Sequence, residues 1–282
     1  MVELFKEEVR VLGAEDHLIS CDLRFNPDLR SMPVVLFCHG FKGFKDWGPW
    51  NLVADRFAEA GIFFIKMNFS HNGVHPDNLL DITDPESFGQ NSISKELADI
   101  KAVVDWFVND NEIYKPYVDE ENISIIGHSR GAATSIISIL ENDKLRNVIC
   151  WSGAYNLEKF LNLIPDEKWK LDGKTEVING RTGQSYPLYY QLKQDYLDNK
   201  ERFDLTKRLA ELDQNLLLIH GENDAVAPIS NSRKIHQFVS HSILITNDGD
   251  HTFNSKHPWN EATLSPQLDM AVSETIDFIK LM

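Results

Sequence analysis

Basic residues are in short supply in this chain: 28 Lys and Arg face 43 Asp and Glu, a formal charge of −15 over 282 residues. A surface this acidic repels nucleic acid and anionic membranes, so neither is an expected partner. Cysteine is scarce too. Cys21, Cys38 and Cys150 are odd in number, irregularly spaced and form no C-x-x-C pair. That excludes a disulfide framework and suggests buried thiols in a reducing compartment. No apolar run approaches the length that crosses a bilayer. The segment Met1–Glu8 is acidic and has no apolar h-region, which argues against a secretory signal. The expected location is the cytoplasm. No His-Glu-x-x-His, P-loop or Gly-x-Gly-x-x-Gly fingerprint occurs, and His71 and His75 share an i,i+4 spacing only within a loop holding Gly73 and Pro76. Neither a metal nor a cofactor is expected. Internal repeats and low-complexity tracts are absent as well.

What remains is an ordinary core-forming composition, 42% apolar and 25% charged. The pattern opens on a hairpin, Glu8–Leu12 and His17–Phe25 around Gly13–Asp16. Continuous apolar runs at Pro33–Cys38, Ile62–Phe69, Asn122–Ile126, Val148–Trp151, Leu216–His220 and Ser242–Thr246 read as strands covered on both faces. Helical spacing marks Trp50–Ala60 (closed by Gly61), Ser92–Val108, Ala132–Leu140, Ser230–Val239 and about Pro266–Lys280. Strands alternating with helices imply an α/β class: a mostly parallel, twisted sheet of about eight strands with helices on both faces. Right-handed crossovers put the strands' carboxyl ends on one edge, where open sheets bind ligands. Residues 153–208 are too long for a simple connection and hold Trp169, Tyr186, Tyr189, Tyr190 and Tyr196, with a small hairpin expected around Ile178–Gly183. The expectation is one domain over 1–282 with this stretch inserted as a small cap.

Chemistry concentrates at Gly127-His128-Ser129-Arg130-Gly131, between the strand ending at Ile126 and the helix from Ala132. A serine on so sharp a strand–helix turn has its hydroxyl held out at the sheet edge, beside helix N–H groups that favour developing negative charge. The flanking glycines fit because a side chain would collide at the bend. A serine hydroxyl needs a base, and the base needs an orienting acid. Asp224 follows the strand Leu216–His220, and His251 follows the strand ending at Thr246. The order Ser129, Asp224, His251 is that of serine hydrolases on such sheets. Glu222 and Asp250 are rival acids, but Asp250 would have to fold back on its sequence neighbour. The N–H groups of Arg130 and of Phe41, in the glycine-containing loop His39–Gly43, are the candidate oxyanion donors.

These residues resemble the α/β-hydrolase superfamily: His-Gly-Phe at 39–41, Gly-His-Ser-Arg-Gly at 127–131, His-Gly-Glu-Asn-Asp at 220–224 and Gly-Asp-His-Thr-Phe at 249–253. The short cap and the run Phe41–Trp47 look like cinnamoyl-esterase-like and prolyl-oligopeptidase-type hydrolases related to dienelactone hydrolase. The resemblance implies a cofactor-independent carboxylesterase acting on small or aromatic acyl esters, with Ser129, Asp224 and His251 catalytic. The chain departs from the pattern at Asn68–Gly73, lacks the His-Gly-Gly-Gly run of many lipases, and has no propeller domain. Two alternatives stay open: a serine peptidase or amidase, and a ligand-binding protein on the same fold without turnover. The oligomeric state is not legible.

Overall fold

In a computed structural model that describes residues 3–75 and 78–282, the central sheet contains β1 (Phe5–Leu12), β2 (Leu18–Phe25), β3 (Met32–Cys38), β4 (Phe63–Met67), β5 (Val118–His128) and β6 (Leu145–Trp151). The chain then makes a separate two-stranded hairpin, β7 (Lys174–Ile178) and β8 (Ser185–Tyr189), and returns to the sheet with β9 (Asn215–Gly221) and β10 (Ile243–Asn247). The eight-stranded order is β1-β2-β4-β3-β5-β6-β9-β10. β2 runs antiparallel to both neighbours, and every other pairing is parallel. This is the α/β-hydrolase fold expected from the sequence, with its eight strands.

Strand side chains divide between two cores by the two-residue period. Val35, Phe37, Phe64, Ile126, Ile149, Leu217 and Ile219 pack with α1 (Trp50–Glu59) and, at the other end of the chain, the helix Pro266–Leu281. Val34, Leu36, Ile65, Ile123, Ile125, Val148 and Leu218 face α3 (Ile93–Asn109), which follows the short α2 (Pro85–Gly89), and α4 (Arg130–Glu141). Burial on both faces is why these strands read as unbroken apolar runs. Gly61 takes φ +81° at the end of α1, the left-handed cap its position predicted.

Three strands begin earlier than the sequence suggested. β1 begins at Phe5, β5 at Val118 and β6 at Leu145, because most of their added residues are polar or charged and break the continuous apolar signature of a covered strand. Between β6 and β9 the chain forms α5 (Leu157–Leu161), α6 (Asp166–Asp172), the hairpin, α7 (Gln191–Asp198), α8 (Lys200–Phe203) and α9 (Leu205–Arg208). Four of these five helices span fewer than eight residues, too few turns for helical periodicity to declare itself. Within this inserted stretch Trp169, Tyr186 and Tyr196 are buried, and the ring of Phe160 lies 5.2 Å from Phe41 on the sheet edge. Helices α10 (Ser230–Phe238) and α11 (Pro266–Leu281) complete the fold. Among the described residues no helix is long and apolar enough to cross a membrane.

Candidate active site

β3 and β5 are neighbours, with β4 on the far side of β3 and β6 on the far side of β5. Chain order reverses between them, and the loops that follow both strands meet there. Ser129 sits at the turn from β5 into α4 with φ 56° and ψ −119°, a conformation few L-residues adopt. The surrounding glycines are required by contact. A Cβ on Gly127 would lie 2.2 Å from the Gly131 carbonyl oxygen, and one on Gly131 would lie 2.4 Å from that of Cys38. Across the bend, a Cβ on Gly40 would stand 2.8 Å from the Ser129 Cβ, so the loop after β3 passes directly over the serine.

The three separated candidates meet. Ser129 Oγ lies 2.9 Å from His251 Nε2, and His251 Nδ1 lies 2.8 Å from Asp224 Oδ2. The loops carrying the acid and the imidazole are joined by Glu222 N–H donating to the Asn247 carbonyl (2.7 Å) and Asn223 N–H to that of Gly249 (3.0 Å). Gly221 allows this approach, since its Cβ would fall 2.2 Å from the Gly249 oxygen. Asp224 is buried, and its Oδ1 accepts the N–H groups of Val226 and Ala227, both at 2.8 Å. Burial alone would push its carboxyl up, but contacts from His220 and His251 outweigh it and hold the group well below the usual carboxylate range. The rival acids do other work. Asp250 Oδ1 accepts the N–H groups of Thr252 and Asn254 in its own turn, and Glu222 accepts from the Thr246 hydroxyl.

Among the described residues, neither the Phe41 nor the Arg130 N–H donates to a protein acceptor, so both amides are uncommitted. Their side chains are coupled: the Arg130 guanidinium lies 4.6 Å from the Phe41 ring centroid and pairs with buried Glu96 of α3. Glu96 also accepts from Asn91 Nδ2 at 2.9 Å.

Sequence reasoning missed two histidines here. His128 Nε2–H donates to the His251 carbonyl (2.9 Å), and its ring stands 5.0 Å from that imidazole. Burial, followed by the neighbouring His251, drives its pKa down to about 3, so it is a neutral donor at physiological pH. His220 Nε2–H donates to the Ala227 carbonyl at 2.7 Å and lies 3.2 Å from Asp224 Oδ2, while its Nδ1 accepts from Ser232 (2.7 Å). Both belong to recognised motifs, His128 inside the pentapeptide and His220 at the end of β9. The available signal was therefore position, without any indication of role.

The cleft at Ser129 encloses about 140 Å³ between Phe41, Trp47, Trp50, His128, His251 and Thr252. Among the described residues, no carboxylate lines it.

Residues 87–257 match the model of the prolyl oligopeptidase family, Peptidase_S9. No curated protein sequence matches significantly. Solved structures with the same fold include Est1E from Butyrivibrio proteoclasticus with ferulic acid bound, at TM-score 0.71 and 17% identity, covering 96% of this chain and 98% of that one. Mouse alpha/beta hydrolase domain-containing protein 10 aligns at TM-score 0.70 and 16% identity, over 98% and 100% of the two chains. A puromycin-hydrolyzing peptidase from Mycobacterium tuberculosis aligns at TM-score 0.66 and 17% identity, over 98% of this chain but 39% of the peptidase. With the family model spanning more than half of the sequence, the chain belongs to the prolyl oligopeptidase family of hydrolases.

Proposed function

We propose that the protein is a serine esterase that cleaves small carboxylic esters through an acyl-enzyme. The observation that carries this reading is the unbroken chain of contacts from Ser129 Oγ through His251 to Asp224, on a turn flanked by two uncommitted amides. His251 takes the Ser129 proton as the oxygen attacks the carbonyl carbon. The amides of Phe41 and Arg130 hold the resulting oxyanion, and Asp224 stabilises the imidazolium. His251 then protonates the leaving alcohol oxygen, and water activated by the same imidazole releases the acid. The substrate is a small molecule, matching the size of the cleft.

A peptidase reading draws support from the family's name. Cleavage of an aminoacyl amide from a free amino terminus requires an acceptor for that ammonium, and among the described residues the cleft wall offers no carboxylate for one. Fluorophosphonate labelling followed by peptide mapping tests the nucleophile, with the adduct expected on Ser129. Matched p-nitrophenyl butyrate and alanyl-p-nitroanilide then test the bond cleaved. Higher kcat/KM on the ester is expected; the reverse order would make this chain an amidase.

His128 supports the base without meeting the substrate's reacting atoms. In His128→Phe the ring volume stays but the N–H donor to the His251 carbonyl goes. Leaving that acceptor unmade costs about 1–3 kcal/mol, so kcat should fall roughly tenfold to hundredfold. KM should change little, and steady-state kinetics on p-nitrophenyl butyrate read the split.

A further inference from the structure

A second cavity of about 350 Å³ adjoins the Ser129 cleft, and Lys42 and Trp47 are walls of both. Its remaining lining includes Phe44, Arg181, Lys256 and His257. Three cations thus converge on one hollow in a chain whose formal charge is −15, and among the described residues no carboxylate lines it. Arg181 has a partner in Asp81 at 2.8 Å, whereas Lys42 and Lys256 pair with no carboxylate among the described residues. Lys42 is half-buried, donates to the Ile178 carbonyl at 3.1 Å, and is held at φ 61° one residue beyond Phe41. Burial pushes its amine down from its ordinary value, the mark of a cation short of compensating charge. His257 is a neutral wall: its Nδ1 accepts from Gly48 N–H (2.8 Å) and its Nε2–H donates to Leu80 (3.1 Å). Its ring meets Phe44 edge-on at 5.1 Å and lies roughly parallel to Trp47 at 6.1 Å. The hollow therefore joins an aromatic floor to a cationic rim, suited to a planar group bearing negative charge.

Its place beside the loop of His251 bears on which half of the substrate it would meet. Ser255, Lys256 and His257 continue the loop that carries His251, and that imidazole must hand its proton to the departing oxygen. We infer that this cavity is a subsite for an anionic, planar leaving group, so that the preferred substrates are esters whose alcohol part carries a carboxylate. This rests on the esterase reading and narrows it to a substrate class.

The test compares 4-acetoxybenzoate with neutral 4-acetoxybenzamide, each rate normalised to hydroxide-catalysed hydrolysis. A parallel pair, p-nitrophenyl hemiglutarate and p-nitrophenyl pentanoate, places the charge on the acyl side. A preference of about tenfold or more for the anionic leaving group is expected at low ionic strength, shrinking as salt is raised. Lys256→Ala should cut the preference several-fold and Lys256→Glu should reverse it, with thermal melts confirming both fold. Equal normalised rates in the leaving-group pair, or a preference confined to the acyl pair, would overturn the inference. Calorimetry on Ser129→Ala separates this from failure of the esterase reading, because it needs no turnover. 4-Hydroxybenzoate should bind more tightly than 4-hydroxybenzamide, and equal affinities would also overturn the subsite.

Discussion

Ser129→Ala is expected to lower kcat on a short p-nitrophenyl ester by about ten-thousand- to million-fold and to abolish fluorophosphonate labelling. The loss is this large because the attacking oxygen itself is removed, while the amides of Phe41 and Arg130 and the aromatic cleft remain to give a small residual rate. Stability separates this effect from a folding defect. At φ 56° and ψ −119° alanine is as strained as serine, so the melting temperature should barely move. Glycine is at ease in that region, and relief of about 1–3 kcal/mol of backbone strain should make Ser129→Gly measurably more heat-stable than the parent. An equally inactive but more stable glycine variant would show that the turn holds strain for the sake of the hydroxyl's position. Undiminished turnover by Ser129→Ala would remove the proposed nucleophile.

Most of the framework was legible because its signals are local. Strands such as Val34–Cys38 are covered on both faces and advertise it as unbroken apolar runs, and the glycines at 40, 127 and 131 mark backbone approaches that admit no Cβ. Ser129, Asp224 and His251 could be grouped because each follows a strand end, and parallel strands deliver those ends to one edge. What escaped is polar burial between distant segments. Glu96 lies within the apolar stripe of α3, beside Ile93, Leu97 and Ile100, and only the fold shows that Arg130 fills its need for a partner. Lys66 sits inside the apolar strand β4 with no sequence neighbour to neutralise it. A charge in a covered run could have been flagged as paired, but its partners, from β2 and the loop after β3, could not be named.

Those partners set up a large stability effect. Lys45 and Lys66 alternate with Asp22 and Asp46 in a closed ring. Lys45 Nζ reaches Asp22 at 2.8 Å and Asp46 at 2.6 Å, and Lys66 Nζ reaches Asp22 at 2.6 Å and also pairs with Asp46. The lysine side chains are 1% and 0% exposed, so neither charge has water to fall back on. Lys66→Met keeps the stem but strands a surplus buried carboxylate, and is expected to destabilise the fold by about 3–5 kcal/mol near neutral pH. Pairing Lys66→Met with Asp46→Leu, which restores charge balance, should recover much of that loss. The pH dependence distinguishes charge from packing. Burial alone would raise the Asp46 carboxyl, but Lys66 and Lys45 hold it below the ordinary carboxylate range. A depressed carboxylate stabilises the parent above its unfolded value, and that stabilisation is lost as pH falls through the folded value. In Lys66→Met one of the two cations is missing, so burial raises the folded value and the surplus acid takes up a proton more readily. Urea melts should therefore show a deficit largest near pH 7 that narrows as the medium approaches the carboxylate range, at about pH 4. A deficit equal at both ends would mean that the stem's packing, and not its charge, was lost. Activity should fall together with stability, because Lys45 and Asp46 follow Phe41 closely and the Lys45 N–H is fixed to Asn68 Oδ1 at 2.7 Å. Loosening the ring frees the loop that carries Phe41.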